Sequence, residues 1–174
     1  MKLFRRLVLL LALTATLAGM VGCAGYRLGS VKPSAFADIR SITIPTFKND
    51  TQEPKIAVLV SNAVIGQMQT DGTYEISTID KADAILKATI TNIQKRALRG
   101  ARTDVLKTRE FEVTLVVEYT VEDLGTGSEI GSGSVSGRTN IFLDPNLQLT
   151  ERQAIENAAE KLAITLTSRL TEGF

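Results

Sequence analysis

Phe111-Glu112-Val113-Thr114-Leu115-Val116-Val117-Glu118-Tyr119-Thr120-Val121-Glu122 is the stretch that decides the fold. Apolar residues occupy alternate positions from Phe111 to Val121, with acids and threonines between them and Val116 the one exception. A period of two belongs to a strand, and one dry face opposite one wet face belongs to an antiparallel sheet. The pattern extends this strand over residues 107–123, and its acidic wet face deters edge-to-edge association.

On the N-terminal side, residues 84–91 alternate in the same way, Leu86, Ala88 and Ile90 against Lys87, Thr89 and Thr91. The phase slips near Asn92 and Ile93, which predicts a bulge or a bend. On the C-terminal side, Asp123-Leu124-Gly125-Thr126-Gly127 turns the chain into a Gly- and Ser-rich strand over residues 128–141. Its three glycines, Gly131, Gly133 and Gly137, predict a weakly specified register. Further upstream, Ile39-Arg40-Ser41-Ile42-Thr43-Ile44-Pro45 reads as a half-buried strand that Pro45 ends or exposes at an edge. Residues 46–53 read as a polar loop, and residues 73–78 as a short strand.

Two helical periods remain. Ile56, Leu59, Val60, Ala63, Val64 and Met68 form one apolar stripe over residues 55–70, with Pro54 suited to the first turn and Gly72 to a left-handed stop. Strand, helix and strand in that order predict a right-handed crossover with parallel strands. After a loop through Asp144-Pro145-Asn146, Thr150-Glu151-Arg152-Gln153 has the form of a capping box, and Ile155, Ala158, Ala159, Leu162, Leu166 and Leu170 trace the second stripe. A sheet with one apolar face and two helices with one stripe each predict an α+β two-layer sandwich, a mixed four- to five-stranded sheet with both helices on one face.

The N-terminus has another character. Lys2, Arg5 and Arg6 precede an apolar run from Leu7 to Leu13, which tapers into Met20-Val21-Gly22-Cys23. A basic start, an apolar core too short to span a bilayer and small residues at the exit make a secretory signal over residues 1–22. Cys23 is the only cysteine, and Val21-Gly22-Cys23 has the form of a bacterial lipobox, with Met20 where leucine is commoner. The expectation is a mature chain beginning at Cys23 and carrying N-acyl and S-diacylglycerol lipid, each buried methylene giving ~0.8 kcal/mol of membrane affinity. The residue after Cys23 is Ala24 and not aspartate, which in bacteria resembling the enteric ones implies sorting to the outer membrane, so that the domain faces the periplasm. Residues 23–38, broken by Gly25, Gly29, Ser30 and Pro33, read as a short tether with at most a strand at residues 26–28, and residues 39–174 as one domain.

Composition excludes several functions. Three of the 20 Lys and Arg residues lie in the signal, so 17 face 19 Asp and Glu in the mature chain, which argues against nucleic-acid binding. There is no histidine, so neither a histidine-based triad nor a histidine metal site is possible, and lipid consumes the one thiol. The glycines at 125, 127, 131 and 133 lack the spacing of a phosphate-binding loop, and Glu110 and Glu112 recur as Glu118 and Glu122 along a solvated face. No catalysis, metal or diffusible cofactor is expected.

The lipobox cysteine followed by Gly25-Tyr26-Arg27-Leu28, then Ser41-Ile42-Thr43-Ile44-Pro45-Thr46-Phe47-Lys48-Asn49-Asp50-Thr51 and Pro54, resembles the LptE family of lipopolysaccharide-assembly lipoproteins. Ala82-Asp83-Ala84 and the closing Leu170-Thr171-Glu172-Gly173-Phe174 add to the likeness. The resemblance implies two helices on a mixed sheet and a non-catalytic role. It implies a lipoprotein that plugs the LptD outer-membrane barrel, assists its assembly and binds lipopolysaccharide.

The residues themselves offer a candidate ligand site. Lys95, Arg96, Arg99, Arg102, Lys107 and Arg109 cluster around the turn between two long strands, interrupted by Gly100, Thr103 and Asp104. Arginine binds phosphate as a planar fork, so this turn could meet a phosphorylated lipid, anionic headgroups or the barrel wall, while a plain solvated hairpin end gives the same cluster. The competing function is a periplasmic binding module like the amino-terminal domain of TolB or the LpoB-like activators. Such a module needs a long tether, whereas about fifteen residues separate Cys23 from the first strand, ~50 Å at full extension.

Overall fold

The computed structural model describes residues 32–99, 110–142 and 147–173. Residues 1–22, expected as a signal, Cys23, residues 26–28, Arg102, Lys107, Arg109 and the expected loop at Asp144, Pro145 and Asn146 lie outside the described residues. The strands are β1 (Ser41–Thr43), β2 (Lys48–Asn49), β3 (Glu75–Ile76), β4 (Ala84–Arg99), β5 (Glu110–Asp123) and β6 (Glu129–Phe142), and the helices are α1 (Ile56–Asp71) and α2 (Leu147–Glu172).

The alternation of β5 becomes its burial: Val113, Leu115, Val117, Tyr119 and Val121 are buried. β4 pairs antiparallel along its length, Leu86 opposite Val121, Ala88 opposite Tyr119 and Ile90 opposite Val117, so apolar residues meet on one face. The expected bulge is present. Ile90 pairs with Val117 but Asn92 with Val116, so Thr91 is the extra residue. That insertion changes which positions face inward: beyond it Ile93 and Lys95, opposite Leu115 and Val113, occupy the face that Leu86 and Ala88 occupied before it.

β6 corrects one expectation. Gly131, Gly133, Val135 and Gly137 pair with Val121, Tyr119, Val117 and Leu115, so all three glycines lie on the helix-covered face. A β-carbon at Gly137 would fall 2.5 Å from the Leu162 nitrogen, and one at Gly131 would fall 2.8 Å from Cζ of Phe36. The register is fixed rather than weak. A shift by one residue would put serines where a helix backbone and an aromatic ring need empty space.

The sheet order is β3-β1-β4-β5-β6, with β2 also paired to β4. β1 runs parallel to β3 and to β4, as the strand–helix–strand pattern predicts. Among the described residues there are six strands, against the four to five expected, because residues 48–49 form β2 where a loop was expected. Pro45 interrupts the edge after β1, and Ile44 and Phe47 turn into the core. The Phe47 N–H donates to the Ser61 hydroxyl (2.8 Å), which donates to the Ala57 carbonyl (2.7 Å). Lys48 and Asn49 then rejoin β4 opposite Thr89 and Ile90.

Both helices pack on the apolar face and on each other. Helix α1 buries Ile56, Val60, Ser61, Val64 and Met68 and ends at Gly72, whose φ of 75° lets its N–H reach the Met68 carbonyl at 3.0 Å. Pro54 precedes the helix instead of entering it, because Lys55 takes the left-handed conformation (φ 63°) at the N-cap and turns the chain there. The second helix starts at Leu147, so Thr150 is inside it and is not its N-cap. Small residues on its inner face, Ala154, Ala158, Ala159 and Ala163, allow the close approach to β6.

Residues 32–38, assigned to the tether by sequence, pack on the domain. Phe36 is 7% exposed and fills the notch over Gly131. The Lys32 ammonium donates to the Ile39 carbonyl (2.8 Å) and sits 4.6 Å from the Tyr74 ring centre. Tyr74 donates its hydroxyl to the Leu170 carbonyl at 2.7 Å. Burial, and secondarily the charge of Asp71, pushes its phenol up to about 12, so it stays a donor. This strap leaves residues 24–31 between Cys23 and Lys32, a reach of ~30 Å fully extended.

Candidate functional site

The basic residues at the end of β4 do not share one face. Lys95 lies opposite Val113 on the helix-covered side, where its ammonium is bonded by the Glu151 carboxylate of α2 and lies 3.8 Å from that of Glu53. Arg96 lies opposite Glu112 on the other side and is exposed. Arg99 pairs through its backbone with Glu110 at the strand end, and Arg102 and Lys107 fall outside the described residues. The Thr91 bulge decides this division, since without it Lys95 and Arg96 would exchange faces. Counting positions in sequence missed Glu53 and Glu151 as partners of Lys95. No local pattern announces a contact across 56 residues.

The face of β4, β5 and β6 turned away from the helices carries polar side chains. Across the sheet run the rows Lys87–Thr120–Ser132, Thr89–Glu118–Ser134 and Gln94–Thr114–Arg138, with Val116 an apolar member between Asn92 and Ser136. The charges are of both signs and partly paired: Lys87 bonds Glu122 at 2.5 Å, and Arg138 approaches Glu112 at 3.6 Å. Where the edge breaks between β1 and β2, a concavity of about 740 Å³ opens on this face. Pro45, Thr46 and Lys48 form one rim, and Ile85, Ser132 and Ser134 contribute to its lining.

At the opposite end of β4, Asp83 joins two strand starts. Its carboxylate accepts the N–H of Arg40 (2.9 Å), the N–H of Ser41 (2.8 Å) and the Ser41 hydroxyl (3.0 Å). These donors, the Arg40 N–H first, hold its pKa below the ordinary carboxylate value. Among the described residues there is no group of three or more His, Cys, Asp or Glu able to hold a metal, and no helix is long and apolar enough to cross a membrane.

Known proteins place this arrangement. The model of the LptE family, lipopolysaccharide-assembly, matches residues 39–170. Among solved structures, a minor lipoprotein of Acinetobacter baumannii superposes with a TM-score of 0.55 at 14% identity, covering 76% of this chain and 91% of that one. A protein of Caulobacter crescentus described as a lipoprotein gives a TM-score of 0.50 at 17% identity, covering 72% and 88%. At these identities the likeness is one of fold. A search of curated proteins finds no match. The family match spans β1 through nearly all of α2, and the chain belongs to the LptE family of lipopolysaccharide-assembly proteins.

Proposed function

We propose that this protein is an outer-membrane lipoprotein, held to the periplasmic face by lipid on Cys23, that partners and plugs an LptD barrel and assists lipopolysaccharide assembly. The observation that carries the reading is the family match over residues 39–170, joined to the signal and lipobox pattern of residues 1–23. The role is non-catalytic: the domain acts through shape and charge. Arg96, Arg99, Arg102 and Lys107, at and beyond the end of β4, are the cations offered to phosphorylated lipid, with Lys95 shared between that end and its two glutamates.

The tether supports a partner in the same membrane. With residues 32–38 docked, eight residues connect Cys23 to the domain, which shortens the reach of a module acting on a distant soluble or inner-membrane partner. Pull-down of the full-length protein from detergent-solubilised envelope tests the reading. Recovery of an LptD barrel is the expected result, and recovery of a peptidoglycan synthase or a soluble complex in its place would overturn it.

A further inference from the structure

We propose that Glu53 and Glu151 compete with phosphorylated lipid for Lys95, so that ligand binding at the end of β4 and docking of the first turns of α2 oppose each other. This rests on the lipid-binding reading stated above and adds how that site is regulated. The Lys95 ammonium is shared by carboxylates from two separate elements, Glu151 on α2 and Glu53 on the loop before α1. Each presents the kind of anionic oxygen that a phosphate brings to the same cation. All three side chains keep contact with water, 39% exposed for Lys95, 32% for Glu53 and 47% for Glu151, so their bonds can exchange. Lys95 also lines an open hollow of about 660 Å³ with Asp50, Gln52 and Asn92, from which a ligand reaches it without entering the core.

The start of α2 is held loosely. Among its described side chains Glu151, Arg152 and Gln153 are exposed, and burial begins at Ala154 and Ile155. Arg152 bonds Glu156 within the helix (3.3 Å), so of these three it is Glu151 that ties the helix start to the sheet. Beside the two glutamates a cleft of about 360 Å³ lies between the starts of α1 and α2, with Lys55 and Arg152 in its lining. Carboxylates that leave Lys95 therefore meet water and other cations, and no charge is stranded in a dry core. An end with little buried apolar surface opens at low cost. Coupling of this kind is reciprocal: carboxylates that hold α2 down weaken the ligand, and ligand on Lys95 loosens α2 by the same factor.

The test titrates the full-length lipoprotein, in neutral detergent micelles at low salt, with lipopolysaccharide. Glu53→Gln combined with Glu151→Gln is compared with a pair of equal charge change on exposed positions of α2, Glu160→Gln combined with Glu172→Gln. Expected is a rise in affinity of about threefold to fivefold for the first pair and of less than about twofold for the second. The rise should vanish when Lys95→Met is added to the first pair, because the cation being contested is gone. In the wild type, saturating lipopolysaccharide should speed amide hydrogen exchange over residues 151–155. Equal gains from both pairs, a gain that survives Lys95→Met, no gain at all, or exchange that slows or stays unchanged overturns the competition and leaves the lipid-binding reading standing. Wild-type protein that binds no lipopolysaccharide overturns both.

Discussion

A β-carbon on Gly137 would lie 2.5 Å from the backbone nitrogen of Leu162, so β6 and α2 touch backbone to backbone. Gly137→Ala therefore forces the helix off the sheet or leaves a steric overlap that no rotamer change relieves. The expected cost is about 3 kcal/mol or more by urea denaturation, at the upper end of overpacking effects. Ser136→Ala, one residue away on the open face, is expected to stay within about 0.5 kcal/mol.

Phe36 ties the strap to the domain by filling the space over Gly131. Phe36→Ala removes that ring and is expected to destabilise the docked strap by about 3 kcal/mol. Cleavage before the exposed Asp38 by an aspartate-specific endoprotease reads this directly, and it should accelerate in the variant under conditions where the sheet remains folded. Cleavage at the wild-type rate would mean that Lys32, Pro33 and Ile39 hold the strap without the ring.

The two sides of the basic end make different forecasts. Arg96, Arg99 and Arg102 replaced together by Glu are expected to weaken binding of phosphorylated lipid without lowering the melting temperature. Lys95→Ala should have the smaller effect on lipid, because its ammonium is already engaged by Glu151 and approached by Glu53. Its double-mutant cycle with Glu151→Ala is expected to show coupling of about 0.5 kcal/mol that salt reduces, the usual range for a partly exposed pair. Unchanged lipid affinity in the triple variant would make this turn a solvated hairpin end.

Asp83 gives stability a defined pH dependence. Its folded pKa is depressed, so its contribution is complete above the unfolded carboxylate value, about 3.9, and is lost as pH falls through the lower folded value. Asp83→Asn should lower the urea midpoint at neutral pH, where the wild-type carboxylate accepts from Arg40 and Ser41. Below about pH 4 the gap between the two proteins should narrow as that carboxylate protonates. A gap independent of pH would show that the charge is irrelevant to the junction.

Much of this fold is legible in the sequence because the elements that fix it carry long periods. The alternation of β5, the stripe of α1, the Gly72 stop and the slip after Ile90 each express a local geometric requirement, and each is found where it was expected. What escaped is set by distant parts of the chain. Lys48 and Asn49 become a strand only because β4 presents Thr89 and Ile90 beside them. Phe36 belongs to the core only because Gly131 leaves room, and neither residue alone carries a signal. Thr150 satisfies a capping motif that the helix, already begun at Leu147, does not use for its start. The candidate site was legible as a cluster but not as a surface. One bulged residue, Thr91, sends Lys95 to the helices and Arg96 to the open face, and a list of spacings does not register it.

The central claim is that acylated Cys23 holds this domain beside an outer-membrane barrel. Native mass spectrometry of the complex purified from detergent-solubilised envelope reads both parts at once. The expected species contains an LptD barrel together with this chain, beginning at Cys23 and carrying its acyl chains. A bare thiol at the mature start, or a chain that leaves the envelope free of any barrel, would contradict it.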